Sequence, residues 1–122
     1  MNAPELKFEP LPGTCADKHI YQLHGPLVLA TMFSIQEILR SETASTVLDL
    51  TDVPYVDSAG LGVLTNAHVA HQKRGCRFLL VGVNDRVQAL FKMTKLEQLF
   101  EVFPSVESAI DSLGNQAQQS VA

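Results

Sequence analysis

Hydrophobic and polar positions change period several times along the chain, and each change marks a predicted element. Leu6, Phe8 and Leu11 accompany the turn signal Pro10-Leu11-Pro12-Gly13-Thr14, and Tyr21 and Leu23 alternate with polar neighbours after it. This pattern predicts two short strands joined by a turn. Gly25-Pro26 breaks the alternation, and from about Leu29 to Arg40 the apolar Ile35, Ile38 and Leu39 fall at helical spacing. After the polar stretch Ser41 to Ser45, Val47-Leu48-Asp49-Leu50 is a nearly continuous apolar run, as in a central strand covered on both faces. A second helix is predicted between about Ser58 and Arg74, closed by Gly75. Phe78-Leu79-Leu80-Val81 follows as another buried strand, and Asn84-Asp85 supplies a cap for a third helix with Val87, Leu90 and Phe91 facing the core. Leu99 to Phe103 is the last predicted strand. Pro104-Ser105 starts a final helix whose stripe of Val106, Ala109, Ile110 and Leu113 ends at Gly114.

Strands alternating with helices need crossover connections, so the class is α/β, with a mixed, mostly parallel sheet of about five strands and four helices. The organisation expected is a single domain over residues 5–114, a short tail at 1–4 and a polar, flexible tail at 115–122. In such sheets the strand-to-helix loops share one edge. The loops concerned here are Gly25-Pro26, Asp52 to Gly60, and Gly82 to Asp85, and they are expected to be neighbours.

Composition narrows the function classes. With 122 residues, 46% hydrophobic and 18% charged, the chain can bury a real core without disulfide or metal staples. A net charge of −4 and cations scattered singly, apart from Lys73-Arg74 and Arg77, argue against nucleic-acid binding. No apolar run approaches the ~20 residues of a membrane span, and the start Met1-Asn2-Ala3-Pro4-Glu5 lacks a signal-peptide layout, so a cytoplasmic protein is expected. Cys15 and Cys76 lack CxxC spacing and read as buried thiols of a reducing compartment.

The most informative segment is Asp52-Val53-Pro54-Tyr55-Val56-Asp57-Ser58-Ala59-Gly60-Leu61-Gly62, between a buried strand and a helix. A dinucleotide fingerprint fails because its third glycine would fall on Thr65 and its acidic ribose ligand is missing near Gly82-Val83. A nucleophile elbow would need glycine at Val56, and a phosphate-cradling loop would need a lysine that is absent. Two readings remain open. Ser58 is a plain helix cap, with the glycines permitting close helix–sheet packing, or its hydroxyl is a site where an added phosphate is tolerated, favoured by the helix dipole and opposed locally by Asp57.

The run Val47-Leu48-Asp49-Leu50-Thr51-Asp52-Val53-Pro54-Tyr55-Val56-Asp57-Ser58-Ala59-Gly60-Leu61-Gly62-Val63-Leu64 resembles the signature of the STAS domain family, specifically the small bacterial anti-sigma-factor antagonists. Gly25-Pro26-Leu27 followed by Thr31, the stretch Gly75 to Val83, and the ending Leu96 to Ile110 are similar to further family segments, so the resemblance covers roughly residues 5 to 113. It implies a partner switch. The unmodified domain binds an anti-sigma factor that is also a serine kinase and so releases the sigma factor. Phosphorylation of the serine after the aspartate, here Ser58, blocks that binding, and a metal-dependent phosphatase reverses it. Two residues depart from the pattern: Ala59 stands where many members have a second hydroxyl, and Val28 where an aspartate is frequent. Isolated domains that resemble this one also serve as subunits of stress-signalling or lipid-transport complexes.

Other constellations are weaker. His68 and His71 are one helical turn apart, with His19 and His24 on the second strand, but no carboxylate or thiolate completes a metal set, and a solvated helix face is the expectation. Asp49, Asp52 and Asp57 with Lys92 or Lys95 suggest a phosphotransfer receiver domain, a poorer match than the serine motif. Neither a carboxylate pair, nor a cysteine–histidine pair, nor a triad occurs at motif spacing, so a binding module rather than an enzyme is expected, with no cofactor or metal. The docking surface is expected around Ser58, from Gly25, Pro26, Tyr55, Asp57, Gly60, Asn84 and Asp85. Tyr55 reads equally as an interface anchor or a core tyrosine. Met32 and Phe33 read either as an imprecise helix register or as exposed contacts for another protein.

Overall fold

The computed structural model describes residues 5–14 and 17–121, with side chains described as far as residue 114. Its elements run in chain order as β1 (Lys7–Pro10), β2 (Lys18–His24), α1 (Phe33–Ser41), β3 (Ser45–Asp52), α2 (Ser58–Lys73), β4 (Phe78–Val81), α3 (Asp85–Met93), β5 (Glu101–Phe103) and α4 (Val106–Val121). The strands form one sheet in the order β1-β2-β3-β4-β5. Only β1 runs antiparallel to its neighbour, and the other pairings are parallel, as crossover helices require. The mixed, mostly parallel α/β sheet with four helices read from the sequence is therefore the fold.

The alternation of side chains along β3 sorts the core into two. Leu48 and Leu50 face Leu23, Leu80, Ile35, Leu64 and Phe91, so α1, α2 and α3 cover one side of the sheet. Val47 points the other way and joins Ile20, Leu79, Val81 and Ala109 under α4. That double cover is why the run at 47–50 is apolar almost throughout. Gly75 closes α2 at φ +71°, the left-handed conformation that glycine adopts without strain. Asn84 caps α3 by accepting the Val87 N–H at 2.9 Å.

Several boundaries differ from the sequence reading. Helix α1 begins at Phe33, not near Leu29, because residues 28–32 form a separate turn built on Thr31. The last strand begins at Glu101. Leu99 and Phe100 lie before it, and Phe100 turns into the core 4.9 Å from the Phe91 ring centroid. Helix α4 passes Gly114 and runs to Val121. Cys76 is half-buried rather than buried, and Cys15 lies outside the described residues. His71 is not on a solvated face: at 1% exposure it packs against Phe78, its Nε2 is 2.8 Å from the Thr46 hydroxyl and its Nδ1 is 2.7 Å from the Ala67 carbonyl. Burial pushes its pKa below the ordinary value, so the neutral ring is the stable form in that position.

At the end of the sheet away from Ser58, Glu42 is only 6% exposed and is fully engaged. It pairs with His19 at 2.6 Å, accepts the Tyr21 hydroxyl at 3.1 Å and takes the Thr43 and Ala44 N–H groups. Burial alone would raise its pKa, but the His19 contact and these donors outweigh it and hold the carboxyl low. Burial and the same carboxylate push the Tyr21 phenol up to about 12. This network fastens the end of α1 to β2.

Candidate functional site

Parallel connectivity brings the β2–α1, β3–α2 and β4–α3 loops to one edge, and backbone hydrogen bonds join them. The Gly25 N–H donates to the Asp52 carbonyl at 3.1 Å, the Leu27 N–H to Tyr55 at 3.1 Å, and the Asp57 N–H to Leu27 at 3.3 Å. Leu27 and Val56 form an isolated parallel bridge. From the third loop, the Asn84 side-chain amide donates to the Val53 and Pro54 carbonyls at 3.1 and 3.2 Å. The three loops expected to be neighbours are thus one bonded surface.

At its centre the division of labour between Asp57 and Ser58 differs from the capping alternative. Asp57, not Ser58, is the N-cap: one carboxylate oxygen accepts the Gly60 N–H at 2.9 Å. The second oxygen accepts the Leu29 N–H at 3.0 Å and so ties the turn before α1 to the start of α2. Ser58 is the first helical residue and is exposed, and its hydroxyl has no partner among the described residues. Both residues are competent caps by type. The tertiary position of Leu29 lets a carboxylate with two acceptor oxygens satisfy two donors at once, which a single hydroxyl oxygen does less well.

The other predicted positions divide by exposure. Asp85 is exposed in the first turn of α3, and Gly25, Pro26, Tyr55 and Asn84 are half-buried. The Tyr55 ring lies under the Arg86 guanidinium, 5.0 Å from its centroid, so it is neither a core tyrosine nor a fully open anchor. Gly60 is buried, with the place of its missing Cβ filled by the Leu27 carbonyl. Phe33 and Leu29 are exposed at 67% and 60%, whereas Met32 is half-buried against the core. Of the two, Phe33 is the exposed side chain and Met32 belongs with the core.

The three aspartates do not form a receiver-type acidic pocket. Asp49 accepts from the Thr51 N–H and hydroxyl, Asp57 caps α2, and Asp52 binds His24. No cluster of three metal-ligating side chains occurs among the described residues.

His24 is a feature the sequence analysis missed, because its partners come from two other strands. Its Nδ1 is 2.8 Å from Asp52 and its Nε2 is 2.8 Å from Glu9, a geometry in which both ring nitrogens donate. Lys7 stands opposite it on β1. The Glu9 hydrogen bond, followed by that of Asp52, raises the His24 pKa above its ordinary 6.5. A raised folded value means that the bridge contributes stability below the unfolded pKa and loses it as pH rises through the folded one. The contribution should therefore fade from about neutral pH upward. NMR titration should place the His24 midpoint above that of a free histidine, and His24→Gln should remove this part of the pH dependence of melting. An unshifted midpoint would show that the bridge does not form.

The fold is a small α/β module with three strand-to-helix loops joined at one edge of its sheet. The family model described as STAS domain matches residues 12–109, so the chain belongs to the STAS domain family. Its similar proteins place it with the anti-sigma factor antagonists. It is 30% identical over 87 residues to the anti-sigma-B factor antagonist of Staphylococcus aureus, across 68% of this chain and 81% of that one. With the anti-sigma-B factor antagonist of Listeria monocytogenes it shares 40% identity over 55 residues, 45% of this chain and 48% of that one, so the match spans about half the length of that relative. The solved structure of the anti-sigma factor antagonist SpoIIAA in its unphosphorylated form has the same fold, with a TM-score of 0.76 at 17% identity over 89% of this chain and 97% of that one. No helix among the described residues is long and apolar enough to cross a membrane.

Proposed function

We propose that this chain is a phosphorylation-controlled partner switch. Unmodified, it binds an anti-sigma factor with serine-kinase activity and frees the sigma factor. With phosphate on Ser58 it is released, and a metal-dependent serine phosphatase restores the binding form in the cytoplasm. The observation that carries this reading is the division of labour at the start of α2. Because Asp57 supplies the cap, the exposed Ser58 hydroxyl has no structural duty and is open to a kinase. Likeness to proteins named anti-sigma-B factor antagonists supports the class of partner.

The domain tolerates the modification for a physical reason. A phosphate at the first helical residue meets the positive end of the helix dipole, and no buried contact of Ser58 has to be broken to make room. Its repulsion from Asp57 is moderated because both oxygens of that carboxylate already accept N–H groups.

Mass spectrometry tests the assignment. The chain mixed with a cognate anti-sigma-factor kinase and ATP should gain one phosphate, located on Ser58, and Ser58→Ala should gain none. ATP alone should leave it unmodified. Phosphate uptake without kinase, or uptake at an aspartate, would replace the reading with a self-acting phosphotransfer domain.

A further inference from the structure

Leu29 and Phe33 are exposed large apolar side chains in the segment that joins β2 to α1 and begins α1, and the structure ties this segment to the loop of Ser58. The turn is locked by Thr31, whose hydroxyl donates to the Pro26 carbonyl at 2.7 Å and accepts the Val28 N–H at 3.0 Å. The Met32 N–H reaches the Val28 carbonyl at 2.8 Å, which closes the turn against the start of α1, where Phe33 is the first residue. The Leu29 N–H is bound by Asp57, the cap of the helix that carries Ser58. Two large apolar groups on a rigid frame lose little freedom when covered, which is the property of residues that dominate an interface.

The charges around this ridge indicate what covers it. Asp52, Asp57 and Asp85 lie on the same edge, and Asp52 and Asp85 are exposed. The cations there are Arg86 over Tyr55, His24 between Glu9 and Asp52, and Lys7 opposite His24, set against the four carboxylates of Glu9, Asp52, Asp57 and Asp85. The edge thus presents an apolar ridge beside net negative charge.

We propose that Leu29 and Phe33 are the partner-selecting anchor, seated in an apolar pocket rimmed by basic side chains on the anti-sigma factor that the Ser58 switch controls. This rests on the reading of Ser58 given above. A basic rim accounts for how the unmodified acidic edge is attracted, and the apolar pocket for how one partner is chosen over others that share the charge. The ridge is bonded to the loop of Ser58 through Asp57, so a phosphate there falls on the apolar contact, while the basic side chains of the rim face Asp52 and Asp85.

The probe is the purified anti-sigma-factor kinase that phosphorylates Ser58, titrated calorimetrically with the unmodified chain. Leu29→Ser and Phe33→Ser should each weaken binding about tenfold and the double variant about a hundredfold or more. The thermal melts should stay unchanged, because neither side chain is buried. Asp85→Lys should slow association about tenfold at low salt, with the difference shrinking as salt rises. If the double variant binds like the parent while phosphorylation still releases the partner, the anchor is wrong and the switch stands. If the variants lose binding while phosphorylation has no effect, the anchor is supported and the switch is wrong. Sedimentation of the chain alone should show a monomer. A dimer that Phe33→Ser dissociates would make a second copy the occupant and overturn the proposal.

Discussion

Phosphorylation of Ser58 is expected to weaken binding to the anti-sigma factor by roughly two orders of magnitude without unfolding the domain. The unmodified hydroxyl is small, neutral and exposed, so a partner that covers it loses at most one hydrogen bond, about 1 kcal/mol. Covering a phosphate means desolvating about two charges beside the Asp57 carboxylate, a cost of several kcal/mol unless the partner supplies cations at that point. A net penalty of about 3 kcal/mol gives the hundredfold loss. Ser58→Ala should remain bound permanently, and Ser58→Asp, with one charge and a shorter reach, should weaken binding only in part. Calorimetry of phosphorylated and unphosphorylated chain against one partner measures the difference. Equal affinities would leave Ser58 with no role in docking, and since Asp57 performs the capping, with no evident structural role either.

Gly60→Ala is expected to destabilise the fold by about 3 kcal/mol or more, lowering the melting temperature by about 10 °C. Helix propensity alone gives the opposite sign, since alanine is about 1 kcal/mol better than glycine in a helix. The tertiary contact decides. An added Cβ would overlap the Leu27 carbonyl oxygen and crowd the Leu27 Cγ at 3.0 Å. That oxygen belongs to backbone, and it accepts the Asp57 N–H at 3.3 Å, so it cannot retreat without opening the joint between the β2–α1 and β3–α2 loops. Gly62→Ala is the control two residues on, where nothing lies within 4 Å of the added atom. It should be neutral or stabilising by up to about 1 kcal/mol. Thermal melts of the two variants give opposite shifts if the close approach is real, and matching shifts would refute it.

The amino-acid sequence by itself determined the element order, because local periodicity and punctuation agree with the fold. The double-faced run at Val47 to Leu50 marks the central strand, Gly75 and Asn84 mark helix ends by their own backbone and side-chain chemistry, and the Asp57-Ser58 pair sits at the start of α2. These signals act over a few residues and need no partner from elsewhere in the chain.

Only the tertiary structure decided which of two adjacent cap-competent residues takes the cap. Asp57 does so because Leu29, 28 positions away in sequence, brings a second N–H to its other oxygen. The same holds for His24, whose carboxylate partners lie on β1 and β3, and for His71, whose helix face is read as solvated until Thr46 and Phe78 close over it. Gly60 reads either as docking surface or as a close approach of helix to sheet, and the Leu27 carbonyl in the space of its Cβ decides for close approach. Helix α1 starts late because the Thr31 hydroxyl bonds backbone of its own turn in place of a helical continuation. In each case a polar group or an empty volume must be satisfied, and several sites along the chain could satisfy it in principle. Packing the sheet selects one, since each buried polar group takes the partner that the strand order brings within reach.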